Sequence, residues 1–120
     1  MKLVKSFAHA LHGLKICFIS ELNFRIHTVL AIIAIAFAIV FNVSILEWMA
    51  ISFCIAFVIA MEMLNTAIEK LCDVTHQEFH PGVKKVKDIA AGAVLVSAVF
   101  SLITGLTIFL PKIIAYFKSV

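Results

Sequence analysis

The chain has 120 residues, 63% of them hydrophobic and 14% charged, with eleven phenylalanines and a formal net charge of +3. A mean hydropathy of +1.13 excludes an ordinary water-soluble domain. The length admits one domain, 1–120, with room for about three spans and a surface helix.

In chain order, residues 1–22 repeat apolar groups at helical spacing (Leu3, Phe7, Leu11, Leu14, Phe18), while Lys2, Lys5, His9 and His12 project to the opposite side. This pattern predicts an amphipathic helix lying in the membrane interface, basic side toward anionic headgroups or a polyanionic substrate. The segment lacks the continuous apolar stretch and cleavage site of a signal peptide. Glu21 and Arg25 follow, four residues apart, before a first span predicted over 27–46. Asn42-Val43-Ser44 tapers that span into a short turn with Glu47.

A second span, 48–71, opens on Trp48, a typical interfacial anchor. From Asp73 to Asp88 the chain is polar and broken by Pro81-Gly82, which predicts the one real loop. The third span, 89–110, is uncharged and is expected to end at Pro111-Lys112. Within it Ala93, Ser97, Ser101 and Gly105 recur every fourth residue, a stripe that lets helices approach closely, partly between subunits. The expected fold is all-α: an interfacial helix followed by three transmembrane helices. Three helices enclose no sizeable pocket alone, so a site between protomers is expected.

Lys2, Lys5, Lys15 and Arg25 precede the first span, Lys70, Lys84, Lys85 and Lys87 flank or fill the long loop, and Lys112 and Lys118 trail the third. Positive charge collects on the cytoplasmic side, which places the N-terminus and loop 73–88 there. Cys17, Cys54 and Cys72 show neither CxxC nor finger-like spacing and read as small apolar fillers.

The most informative stretch is Glu62-Met63-Leu64-Asn65-Thr66-Ala67-Ile68-Glu69-Lys70-Leu71-Cys72-Asp73, at the end of the uncharged run Trp48–Met61. Continued as a helix, residues 62, 65, 66, 69 and 73 share a sector of about 100°. Two carboxylates and an amide then line one stripe where lipid tails give way to headgroups, and ionisable groups at that depth mark function. Glu69 lies about 10 Å beyond Glu62 along the axis, too far for one ion to bridge both. The spacing suits a division of labour, with Glu62 deeper for a lipid hydroxyl and Glu69 shallower for metal and phosphate. Glu21 can supply a second oxygen ligand for Mg²⁺, which takes one or two carboxylates plus phosphate oxygens.

Neither GxxxxGK[ST] nor GxGxxG is present, so any bound ATP must be held by side chains and Mg²⁺. His76-Gln77-Glu78-Phe79-His80 is not HExxH, and nothing calls for zinc or for a nucleic-acid partner. A small proton-coupled transporter using Glu62 is the alternative, although its carboxylate belongs nearer the bilayer midplane. A non-catalytic assembly subunit leaves the stripe without a purpose.

Glu62-Met-Leu-Asn65-Thr-Ala-Ile-Glu69, then Asp73, Glu78-Phe79-His80-Pro81 and Lys87-Asp88 before Ala-Ala-Gly-Ala, resembles the bacterial diacylglycerol kinase and undecaprenol kinase family. Ser20-Glu21-Leu22-Asn23-Phe24-Arg25-Ile26-His27 fits the same pattern and leans toward the undecaprenol kinase branch. The resemblance covers essentially the whole chain. It implies a small homotrimeric membrane enzyme that moves the ATP γ-phosphate onto the hydroxyl of a membrane lipid. By resemblance Glu62 takes the proton-acceptor position and Asn65 its polar neighbour, Glu21 and Glu69 the Mg²⁺ positions, and Glu78, Phe79, His80, Lys87, Asp88 and His9 nucleotide-contact positions. The chain departs from the pattern at Ala8, His9 and His12, where relatives are richer in Lys, Arg and Tyr.

Overall fold

The computed structural model describes residues 1–120 as four helices: α1 (Lys2–Ser20), α2 (Leu22–Val40), α3 (Ile45–Thr75) and α4 (Pro81–Ser119). There are no strands, and α2, α3 and α4 are each long and apolar enough to cross a membrane. Only 14 of the 120 residues are buried, so most apolar side chains lie on the outside of the single chain. That distribution suits a molecule whose solvent is lipid.

Each junction has a local cause. Glu21 alone separates α1 from α2, with extended backbone at φ −118° and ψ 112°. Arg25 closes the joint from α2, its Nη1 donating to the carbonyls of Phe18 at 2.9 Å and Ile19 at 2.8 Å. Those carbonyls belong to the last turn of α1, where no intrahelical donor remains. Between α2 and α3 the turn passes through Asn42 at φ +49°, a left-handed conformation that asparagine tolerates. Ser44 and Glu47 then form a reciprocal capping box that starts α3.

The first span expected over 27–46 is instead α2, Leu22–Val40, because the chain turns at 41–44, and α4 overruns its expected span at both ends. The polar segment expected over 73–88 is mostly helical, and only residues 76–80 connect α3 to α4. Pro81 occupies the first turn of α4, where it needs no amide hydrogen, and the His80 Nδ1 accepts from the backbone N–H of Gly82 and Val83. At the other end α4 continues through Pro111 to Ser119 instead of stopping. Tertiary contacts carry it past the missing hydrogen bond. Ile108 and Phe109 are buried, Ile113 packs on the same cluster, and Lys112 Nζ reaches Glu47 at 3.0 Å.

The closest packing is between α3 and α4, with α2 against α3 and α1 touching both α2 and α3. The core cluster of Ala38, Val43, Ile51, Ile108 and Phe109 sits at the α2–α3 turn end. Phe109 meets Phe37 edge-on there, with ring centroids 5.9 Å apart. In the small-residue stripe of α4, Ser97 is fully buried, Ser101 and Gly105 are half-buried, and Ala93 is exposed. At 39 residues α4 is about as long as the molecule's 58 Å largest extent, so it projects beyond a hydrocarbon layer of about 30 Å.

Candidate active site

Glu62 lies about 26 Å along α3 from Ile45, near the far boundary of the hydrocarbon layer if the turn at Ser44 marks the other. The helical sector anticipated from spacing forms as expected. Glu62 and Thr66 are both 3% exposed, while Asn65 and Glu69 are half-buried beside them. Asn65 Nδ2 donates to Glu69 Oε1 at 3.3 Å, and the Asn65 Oδ1 is buried with no partner.

The α1–α2 joint folds over this sector. From α2, His27 Nε2 comes within 3.3 Å of Glu62 Oε1. At the joint, Glu21 Oε1 lies 4.0 Å from Lys70 Nζ of α3. Glu62 is within electrostatic reach of both Glu21 and Glu69, so three carboxylates converge at one end of α3. From α1, Cys17 is buried close to Thr66. Burial pushes the Cys17 thiol up from its ordinary value, which keeps it neutral and makes it a packing group. Cys54 and Cys72 are also free and buried.

The nucleotide-contact candidates divide. Lys87 Nζ is paired with Asp73 Oδ1 and lies within electrostatic reach of Glu69, which brings it to the acidic sector. Asp88 is exposed and paired with Lys84 at 2.7 Å. His80 caps α4 with one ring nitrogen and packs 5.6 Å from the His76 ring. Glu78 and Phe79 are exposed on the connecting segment, and His9 is exposed on α1 without a hydrogen bond. The single chain therefore brings together Glu21, Glu62, Asn65 and Glu69 with Lys87 beside them, and leaves His9, Glu78, Phe79 and Asp88 apart.

Two neighbours escape a reading of α3 alone. His27 reads in the sequence as the first residue of a span, and Lys70 as topogenic charge. The available signal for His27 was a polar ring inside an apolar run, two turns after Glu21.

Contrary to the expectation that three helices enclose no sizeable pocket alone, a cavity of about 530 Å³ opens among α2, α3 and α4, lined almost wholly by apolar side chains. It runs from His27 past Ala34 and Val58 to Phe109 and Ile113. Ser101, also in its lining, has a buried Oγ without a partner.

An acidic cluster linked through His27 to an apolar cavity fits a reaction between a charged and a greasy substrate. The model of the family described as prokaryotic diacylglycerol kinase matches residues 8–109. The chain belongs to this family. It is 44% identical over 109 residues to an undecaprenol kinase of Bacillus subtilis, covering 91% of this chain and 89% of that one. It is 36% identical over 99 residues to a diacylglycerol kinase of Helicobacter pylori, covering 82% and 77% respectively. A diacylglycerol kinase of Synechocystis sp. is 34% identical over 114 residues, 94% of this chain and 65% of that longer one. Membership in the prokaryotic diacylglycerol kinase family makes the chain a membrane lipid kinase with ATP as phosphoryl donor. The transporter reading finds no support among these relatives.

Proposed function

We propose that this protein transfers the γ-phosphate of ATP to the hydroxyl of undecaprenol, or less readily of diacylglycerol, in a Mg²⁺-dependent reaction at the cytoplasmic face of a bacterial membrane. The observation that carries the reading is the buried Glu62 facing His27, with Glu21, Asn65 and Glu69 grouped around it. The preference for undecaprenol rests on the 44% identity to the B. subtilis enzyme and on a cavity long enough for an isoprenoid segment.

Glu62 is the proton acceptor. The lipid oxygen bonds to the γ-phosphorus as the bond to the β,γ-bridging oxygen breaks, the hydroxyl proton passes to Glu62, and ADP leaves. Phosphoryl transfer has a loose transition state, so holding the reactants in line matters more than early deprotonation.

The donors fit a hard cation. Glu21 and Glu69 offer carboxylate oxygens, the Asn65 Oδ1 is an unpartnered buried oxygen beside them, and Lys70 Nζ lies 4.0 Å from Glu21. No three His, Cys, Asp or Glu side chains cluster tightly enough to hold a metal by themselves. Such a set suits an ion that takes its remaining ligands from phosphate and water. Bound there, Mg²⁺ would neutralise charge on the β- and γ-phosphates. Lys87 is a point charge for the nucleotide, with Glu78, Phe79, His80, Asp88 and His9 as further contacts.

Residues 1–120 act as one lipid-kinase domain within a homotrimer. Extensive apolar surface on α2 to α4 supports that assembly, and residues remote in one chain, such as His9, can then complete a site on a neighbour. The test is a side-by-side assay of undecaprenol and diacylglycerol with labelled ATP and Mg²⁺ in mixed micelles. Label should enter both lipids, undecaprenol faster. Labelling of neither would overturn the reading.

A further inference from the structure

Glu62 is 3% exposed, and the one basic side chain within ion-pair distance of its carboxylate is His27. The contact is one-sided: the imidazole Nε2 meets Oε1 at 3.3 Å, and no residue of the chain pairs with Oε2. The His27 ring makes no other ion pair and no hydrogen bond to another side chain, so it serves this carboxylate alone. It also lines the α2–α3–α4 cavity together with Ala31, Val58 and Ile59, and so joins the acidic cluster to the apolar space.

A glutamate has three side-chain torsions and samples several staggered rotamers unless something holds its head. Around Glu62 the remaining neighbours cannot do so. Thr66 makes no hydrogen bond to the carboxylate, Asn65 donates to Glu69, and Lys70 lies 4.0 Å from Glu21. Glu21 and Glu69 repel the carboxylate.

We propose that His27 is a positioning residue for phosphoryl transfer, holding Glu62 through Oε1 so that Oε2 meets the hydroxyl of a lipid alcohol whose chain enters by the cavity. The inference rests on Glu62 being the proton acceptor. The hydroxyl proton moves to Oε2, the hydroxyl oxygen bonds to the γ-phosphorus, and the electron pair of the broken phosphorus–oxygen bond leaves on ADP. His27 gains and loses no proton in this step. It fixes where the acceptor lies.

The test compares the unmodified enzyme with His27→Ala and His27→Gln in micelles containing undecaprenol, with Mg-ATP varied, and adds imidazole to His27→Ala. A misplaced catalytic group costs on the order of a hundredfold in rate. His27→Ala should lose about that factor in kcat while its KM for Mg-ATP stays within about twofold. His27→Gln, which keeps an N–H near Oε1, should recover roughly tenfold of the loss, and imidazole should restore part of the His27→Ala rate. In the double variant with Glu62→Gln, removing His27 should cost nothing further. Overturning results are kcat within about threefold of unmodified for both single variants, or equal losses in both with no response to imidazole, the mark of a structural role. If Glu62→Gln alone keeps full turnover, the proton-acceptor reading fails first and takes this one with it.

Discussion

Asn65 binds Glu69 through its Nδ2 at 3.3 Å while its Oδ1 stays buried and unpartnered one helical turn from the Glu62 carboxylate. A buried amide oxygen without a donor is costly, by about 1–3 kcal/mol, unless something else binds it. The amide thus holds one metal-ligand candidate in place and offers a free oxygen on the same side. Asn65→Ala should lower kcat by tenfold or more, since it frees Glu69 to turn. Thermal unfolding should change little, because the substitution also removes the unsatisfied oxygen. Unchanged lipid phosphorylation would count against the arrangement.

Glu62→Gln keeps the shape of the side chain and removes its ability to take a proton. General-base contributions run to about 10²–10⁴-fold, and turnover should fall within that range while the protein folds and binds nucleotide. Labelled ATP and a nucleotide-binding titration separate the two effects. Full turnover in this variant would take Glu62 out of the chemistry.

Glu69→Gln and Glu21→Gln should each shift the Mg²⁺ dependence of the rate to higher concentration, and chelation by EDTA should stop the unmodified enzyme. A rate-against-Mg²⁺ curve that overlays the unmodified one would remove that residue from metal binding.

Arg25 bridges two helices by capping the last turn of α1 from α2. Its exposed bonds contribute on the order of 1 kcal/mol, less than buried charged pairs do. Arg25→Ala should therefore leave α2–α4 folded and loosen α1 at Glu21. Amide hydrogen exchange is the measurement: protection at residues 17–20 should fall with no change in the core around Phe109. Uniform protection across the chain would mean that the bilayer alone holds α1.

The Glu47–Lys112 pair ties α3 to α4 just past Pro111, at 3.0 Å and with both side chains half-buried. Lys112→Ala should raise exchange in residues 112–119 and leave kinase activity intact, since the pair lies at the opposite end of the molecule from Glu62. Exchange unaltered over that stretch would show that Ile113 packing suffices.

Much of this was open to a linear reading because its cause is local or periodic. Apolar runs of membrane length, Trp48 at a span boundary and the capping pair Ser44–Glu47 need no distant partner. The Glu62–Asn65–Glu69 sector follows from helical periodicity alone. Helix ends are less legible. Pro81 and Pro111 both look like stops, yet one opens a helix and the other sits inside one. Position within a helix and packing of its neighbours decide what a proline does.

The amino-acid order by itself determined the membrane class, the all-helical build and the family, because hydropathy and a dense motif do not depend on how helices pack. Which groups face Glu62 was decided only when α2 folded back along α3 at the turn after Val40 and α1 turned over them at Glu21. The reversal between Val40 and Ile45 brings His27, 35 positions earlier in the chain, to within 3.3 Å of the carboxylate. Periodicity reports faces within one helix, whereas contact between helices depends on joints and packing that no short pattern records.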